Sequence, residues 1–561
     1  MFADFDIHVE SNVLSILESP VDGTRHINVL DLQTKQIISN VNNSFSPLGP
    51  RLDSNGEQLL FFSNNGELFM HNLRTQTTKV IFDSSVINAG FCTLSQDNLN
   101  LCFSGYNRNM KAPPNIYYMH ITDQNFIQLT DGDYVDRFPQ WSPSGQYIAF
   151  HRQDLRDSSK PKMIYIIDVH TKEEIQVPYS IGESHTIGRY CWSKDSTKLL
   201  VKVDSKNHSS LKIYDLRTMT FSYTIPLPNL RGGIFFSNEN NIVAICKKEL
   251  IIISFLTGEI LKKIHLPHQV SIRDTLRGPA LIASPNSKTL YLLNEDSRIY
   301  QIDLHGNYKL LLQSEDTLPP FKHRIYEVTS QDGLKVPVHH FTPEGNNIKN
   351  TGILLAIGGP GENINISYDP VLANLIIKGY EVIVPAYRGC DGHGRLHKEA
   401  NKGEYGRRDV WDILACGKDW KIKNGDERPL ALIGCSYGGF LTFLSMTYKN
   451  NPFDYAVSLW GVTRLEHLKM HLQQAYPAQL EEKAVAKIVR NPIKQAHKIK
   501  KPLLIFHGEK DTTSTTLDVK TIQKQILAHG GTCDVTIFKD DTHGLSKHLH
   551  DIFDQISLKL I

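Results

Sequence analysis

The 561-residue sequence has no apolar run near the roughly 20 residues that a membrane-crossing helix needs. It is also poor in cysteine. The eight thiols, at 92, 102, 191, 246, 390, 416, 435 and 533, form no CxxC pair and no dense cluster, which excludes a disulfide scaffold and a cysteine-rich zinc module. They read as reduced. Charge of one sign is missing too: 61 Lys and Arg against 59 Asp and Glu leave a formal +2, no field to draw nucleic acid or an anionic membrane, and neither is expected as a partner. The opening Met1-Phe2-Ala3-Asp4-Phe5-Asp6 lacks the bases of a signal peptide and carries acids instead, so the cytoplasm is the expected location.

What is present is ordinary globular material, 40% hydrophobic and 21% charged. The length exceeds the ~250 to 300 residues at which single cores stop growing, so two domains are expected.

The first is a repeat array. A strand-like apolar pattern closed by Asp, Leu, any residue and Thr returns seven times, at Asp31, Asn72, His120, Asp168, Asp215, Ser254 and Asp303, with starts about 39 to 49 residues apart. That is near the ~40 to 50 of a four-stranded propeller blade. A second phrase interleaves with it. Trp141-Ser142-Pro143-Ser144-Gly145 feeds the strand-like Tyr147-Ile148-Ala149-Phe150, with weaker copies beginning at Asp53, Ser95, Ser193, Ser237 and Ser284 and a degenerate one in the first blade. A blade cannot cover its own two apolar faces, so a closed ring of seven is the expected fold; a β-sandwich or open sheet requires no such phased copies. A propeller alone does not state a function.

After Pro319-Pro320 the period changes to apolar strands alternating with helices, the pattern of a mainly parallel α/β sheet. The domains are therefore expected to be 1–318, a β-propeller, and 319–561, an α/β domain that the elbow described next marks as an α/β-hydrolase. Gly352–Ile357 and Glu381–Pro385 read as strands buried on both faces, and Gly406–Lys421 as a helix facing the sheet with Val410, Ile413, Leu414 and Gly417. The run Leu430-Ala431-Leu432-Ile433-Gly434-Cys435-Ser436-Tyr437-Gly438-Gly439 is a buried strand, then glycine-x-serine-x-glycine, then a helix start. This is the pattern of a nucleophile elbow, in which a serine on a strained turn is raised beside a helix N-terminus.

A serine hydroxyl needs a general base, and the base needs an acid to hold its tautomer. In chain order the candidates are Asp511, delivered by the strand-like Lys501–His507 region, and His543, delivered after Asp534–Phe538. Most histidines are surface or hydrogen-bonded residues and most post-strand aspartates are turn formers. Position separates these two. Asp540 and Asp541 share a short loop with His543, too near in sequence to approach its ring from a separate strand, and His507 precedes Asp511 on one strand.

With these residues the chain resembles the prolyl oligopeptidase family, in its acylaminoacyl peptidase and oligopeptidase-like branch. The marks are Gly358-Gly359-Pro360, Tyr387-Arg388-Gly389 with Gly392 and Gly394, Gly403 to Asp409, the elbow itself, and Phe506–Asp511 with His543-Gly544. The resemblance implies a propeller that excludes folded proteins and admits short peptides. It implies Ser436 as nucleophile, His543 as general base, Asp511 as orienting acid and the Tyr437 N–H as one oxyanion donor. The position before Gly-Gly-Pro, commonly His or Tyr in relatives, is Ile357 here, which leaves the Gly358 N–H as candidate for the second donor. Arg388 is expected to tie down its own loop. Dipeptidyl release would need a paired acid in the propeller; Glu173-Glu174, the one adjacent glutamate pair of that half, reads as a solvated hairpin turn.

The expectation is a serine peptidase acting on short peptides with no metal or organic cofactor. An esterase on the same triad, and a non-catalytic propeller scaffold, are the competing readings. A homo-oligomer is left open, as is the residue preferred beside the scissile bond.

Overall fold

The computed structural model describes residues 2–18, 25–42, 47–63, 66–82, 87–107, 113–121, 126–156, 161–180, 183–204, 209–227, 230–236, 241–246, 249–266, 274–275, 278–279, 281–283, 289–294, 297–314, 318–345, 348–359, 364, 369–390, 393, 395–401, 403–464, 466, 490–511, 513–539, 541–545 and 548–559. The described residues form two compact units, one within 2–314 and one within 318–559.

In the N-terminal unit the described residues form seven four-stranded antiparallel sheets, spanning 2–41, 47–82, 87–128, 134–176, 184–226, 230–265 and 281–313, with a two-stranded pairing of Asp274–Thr275 and Gly278–Pro279 between the last two. Within each sheet the strands lie in chain order. All seven phrases fall at one structural place: each begins on the last residue of the third strand, as Asp31 does for His26–Asp31 and Asp303 for Arg298–Asp303. The side chain explains the residue type. Asp31 Oδ1 accepts the N–H of Gln33 and Thr34 at 3.0 and 2.7 Å, and Asp168 Oδ1 accepts those of His170 and Thr171 at 2.9 and 3.0 Å. An Asx turn thus replaces backbone bonds that a tight hairpin cannot make. The left-handed residue it needs follows, at Lys35 with φ 62° and Lys172 with φ 60°. Asp53, Ser95, Ser142 and Ser193 sit in the turns after the first strands of their sheets. Ser237 and Ser284 lie outside the described residues.

Seven hydrophobic clusters join the sheets pairwise. One sets Ile27 and Val29 of the first against Phe61 and Phe69 of the second, and the series continues until Phe5, Ile16 and Leu30 of the first meet Tyr291, Leu293 and Ile299 of the seventh. That last cluster closes the ring, so no blade face is left wet. The fold is a seven-bladed β-propeller.

In the C-terminal unit the described residues form an eight-stranded sheet: β1 (Phe321–Thr329), β2 (Lys335–Pro343), β3 (Gly352–Ala356), β4 (Glu381–Pro385), β5 (Leu430–Cys435), β6 (Tyr455–Leu459), β7 (Leu503–Gly508) and β8 (Cys533–Phe538). Their order is β1-β2-β4-β3-β5-β6-β7-β8; β1 to β2 and β2 to β4 are antiparallel and the rest parallel. Every residue of β3, β4 and β5 is buried, which is why these strands read as unbroken apolar runs. The expected helix at 406–421 runs from Arg408 to Asn424. Its start is displaced because Gly406 takes φ 71°, outside the helical region. Val410, Ile413 and Trp420 on its buried face reach the sheet, and Gly352 leaves the space for the Trp420 ring, since a Cβ there would lie 2.2 Å from its Cζ2. Among the described residues no helix is long and apolar enough to cross a membrane.

Candidate active site

Ser436 follows β5 and begins the helix Tyr437–Met446 with φ 52° and ψ −113°, a strained conformation for a residue with a side chain. Its surroundings hold it there. The Ser436 N–H donates to Leu459 O at 3.0 Å, and its carbonyl accepts from Phe440 and Val462, each at 3.1 Å. The elbow glycines are required by contact: a Cβ on Gly434 would lie 2.2 Å from Gly438 O, and one on Gly438 would lie 1.9 Å from Ala356 O.

The structure brings Ser436, His543 and Asp511 together. His543 Nε2 lies 2.9 Å from Ser436 Oγ, and its Nδ1 lies 2.8 Å from Asp511 Oδ2. An ionised carboxylate only accepts, so Nδ1 carries the proton and Nε2 is free to accept the serine O–H. The loops after β7 and β8 are laced by their backbones: Glu509 N–H donates to Phe538 O at 2.9 Å and Lys510 N–H to Asp541 O at 3.0 Å. Gly508 permits this approach, because a Cβ there would meet Thr542 O at 2.5 Å.

Asp511 is buried, and burial pushes its pKa up. The hydrogen bond and charge of His543, the charge of His507 and the Thr513 N–H act the other way and leave the pKa lowered. The Thr513 N–H reaches Asp511 Oδ1 at 2.7 Å, so the carboxylate's other oxygen is also engaged. His507, fully buried, lies 2.9 Å through Nε2 from Ser514 O and supports the same loop. Sequence reasoning set His507 aside as a triad member and gave it no role; a buried histidine four residues before an acid was the only signal.

Tyr437 opens a helix, so its N–H is among those without an intrahelical partner. Among the described residues neither that N–H nor the one of Gly358 is given to a backbone carbonyl. Gly358 stands beside Ser436: a Cβ on it would be 3.9 Å from Ser436 Cβ. Ile357 is buried and packs in the sheet core.

Two buried groups brace this region. The Tyr437 hydroxyl donates to Asp409, which also accepts the N–H of Gly406 at 3.1 Å and of Val410 at 2.9 Å. Burial raises the Asp409 pKa to about 6 in spite of the Tyr437 hydrogen bond. Arg388, 2% exposed, donates to both oxygens of Asp412, at 2.9 and 2.8 Å, and to both of Asp332, at 2.7 and 2.8 Å. Hydrogen bonds from Arg388 hold the Asp332 pKa down to about 2. Arg388 thus clamps its loop to the β1–β2 turn and to the helix Arg408–Asn424.

In the propeller, Glu173 and Glu174 are both exposed, as the solvated reading expects, but Glu174 lies past the turn itself. It begins the strand Glu174–Gln176, and its Oε1 accepts from Arg152 Nη2 at 2.8 Å, while the buried Arg152 also pairs with Asp136 at 2.7 Å. The tight hairpin is supplied by the preceding Asp168 to Lys172. Among the described residues no three His, Cys, Asp or Glu side chains are placed to hold a metal ion. Pro360, Gly392, Gly394 and Asp540 lie outside the described residues.

A strand–serine–helix elbow with acid and histidine on later strand ends defines the α/β-hydrolase class of site. Residues 367–560 match the prolyl oligopeptidase family. The chain is 26% identical over 243 residues to dipeptidyl aminopeptidase BIII of Pseudoxanthomonas mexicana, covering 39% of this chain and 35% of that protein. It is 25% identical over 240 residues to acylamino-acid-releasing enzyme 1 of Oryza sativa subsp. japonica, covering 39% and 31%. The match thus spans about a third of the length of these curated relatives. Among solved structures, a Mycobacterium tuberculosis puromycin-hydrolyzing peptidase superposes with a TM-score of 0.79 at 15% identity, over 100% of this chain and 93% of that one. The acylaminoacyl peptidase of Pyrococcus horikoshii gives 0.68 at 16%, over 100% and 95%. The family match thus lies within the C-terminal unit, and the fold of the whole chain is that of these solved structures.

Proposed function

We propose that this protein is a serine peptidase that cleaves short peptides through an acyl-enzyme on Ser436, of the oligopeptidase or acylaminoacyl-peptidase type. The observation that carries it is the unbroken hydrogen-bond chain from Ser436 Oγ through His543 to Asp511. His543 Nε2 takes the serine proton as Oγ attacks the scissile carbonyl, and Asp511 holds the tautomer and stabilises the imidazolium. The N–H groups of Tyr437 and Gly358 receive the developing oxyanion. His543 then returns the proton to the leaving amine, the amide bond breaks, and water repeats the sequence to release the acid.

Family resemblance supports catalysis by residues 319–561 and selection of substrate size by 1–318. The engagement of Glu174 by Arg152 weighs against its holding a substrate ammonium, and so against dipeptidyl release. Eight cysteines, none in a disulfide, fit a reducing cytoplasm. The balanced charge gives no reason to expect a nucleic-acid or membrane partner.

Amide and activated-ester substrates with the same acyl residue test the reading. A peptidase turns over both and loses both in Ser436→Ala; turnover of the ester alone would make the protein an esterase on this triad.

A further inference from the structure

We infer that Tyr387 is a positioning residue for the oxyanion donor peptide, a role that rests on the acyl-transfer function proposed above. Its hydroxyl lies 3.2 Å from the carbonyl oxygen of Ile357 and 3.0 Å from that of Gly358. These oxygens belong to successive peptide groups in the loop that follows β3. A trans peptide is planar, with its C=O and N–H pointing in opposite directions. Two successive carbonyls that converge on one hydroxyl therefore direct the N–H groups of Gly358 and Gly359 away from it together. Successive N–H groups sharing a direction form a concavity suited to an anion.

Other contacts keep this arrangement from relaxing. The Ile357 carbonyl is backed by the nucleophile helix, since a Cβ on Gly438 would lie 2.6 Å from its oxygen. Gly359 takes φ 135°, a value that a residue with a Cβ avoids, so the loop relies on glycine to turn there. Gly358 adjoins the elbow, where a Cβ would be 3.8 Å from Cys435 O and 3.9 Å from Ser436 Cβ. Tyr387 itself is fully buried, and no water replaces its hydroxyl at the two carbonyls without a cavity being opened. The next residue, Arg388, is fixed to Asp332 and Asp412, which anchors the Tyr387 backbone. With isoleucine at 357 no side chain there can donate to the oxyanion. The tyrosine hydroxyl acts one step back, by orienting the peptide that does.

Tyr387→Phe deletes one oxygen and keeps the ring. The readouts are steady-state kinetics on an activated ester and on its thionoester, in which sulfur replaces the carbonyl oxygen and accepts hydrogen bonds poorly, with thermal melting to establish that the variant is folded. The expected result is a fall in kcat on the oxo ester of at least about tenfold with KM little changed, less than the ~10² to 10³ for losing a donor outright. The oxo-to-thiono ratio should narrow in parallel. A second variant with 3-fluorotyrosine at 387 retains the hydroxyl as a stronger donor, and its ratio should equal or exceed that of the wild type. An unchanged kcat and ratio in a folded Tyr387→Phe, equal losses on both esters, or the same narrowing with 3-fluorotyrosine would overturn the inference. Absence of Ser436-dependent turnover in the wild type would instead remove the functional reading beneath it.

Discussion

His543 Nδ1 lies 2.8 Å from Asp511 Oδ2, whereas Asp541, two residues before His543, accepts the Thr542 N–H of its own loop on Oδ1 at 2.8 Å. The acid that His543 meets is therefore the one brought from a neighbouring strand. Asp511→Asn preserves shape but replaces one acceptor with a donor, which disfavours the tautomer that leaves Nε2 free. The loss in kcat should be on the order of 10⁴-fold with the melting temperature little altered. Retention of most activity in that variant, measured on a peptide amide, would assign the role to another acid.

The oxyanion donors can be tested through the backbone. Ile357→Val trims one buried methylene and moves no donor, so it should cost about 0.5 to 1.5 kcal/mol of stability and change kcat little. Gly358→Pro removes an N–H; its effect should be roughly a hundredfold or more in kcat, corresponding to about 2.7 to 4 kcal/mol. Circular dichroism establishes that the second variant folds. A folded Gly358→Pro enzyme with full kcat would show that the second donor lies elsewhere in the loop.

Asp409 carries a pH signature of opposite sign to the usual carboxylate. Burial raises its folded pKa from 3.8 to about 6, so the folded state binds more protons than the unfolded one between these values. Its contribution to stability is fully present below the unfolded pKa and is lost as pH rises through about 6. A shift of this size corresponds to about 3 kcal/mol. Relative to Asp409→Asn, the wild type should therefore lose melting temperature progressively from pH 4 to pH 6.5. A difference between the two that stays constant over that range would contradict the assignment.

The propeller was legible because its signal is repeated and local. At Asp31, Asn72, Asp168, Asp215 and Asp303 the side chain that opens the phrase satisfies two backbone N–H groups of the hairpin, and seven copies of the phrase make the period plain. The grouping of Ser436, Asp511 and His543 was legible because each follows a strand whose apolar run announces it, Ser436 at once and the other two within the loop. Residues acting across the sequence were not. Tyr387 touches the loop of Ile357, thirty positions away, and Tyr437 meets Asp409, twenty-eight away. Both partners appeared only as members of family motifs, with nothing in periodicity or spacing to pair them. The ion pair of the exposed Glu174 was not legible for the same reason, since its partner Arg152 lies two strands earlier.

The most direct test of the account is covalent capture of the nucleophile. The wild-type protein is incubated with a fluorophosphonate at neutral pH, the site of labelling is located by peptide mass spectrometry, and hydrolysis of a short peptide is followed on the same sample. One label should fall on Ser436, peptide hydrolysis should cease in proportion to labelling, and Ser436→Ala should neither label nor hydrolyse while keeping the wild-type melting temperature. Labelling of another residue, or undiminished hydrolysis in a folded Ser436→Ala protein, would contradict it.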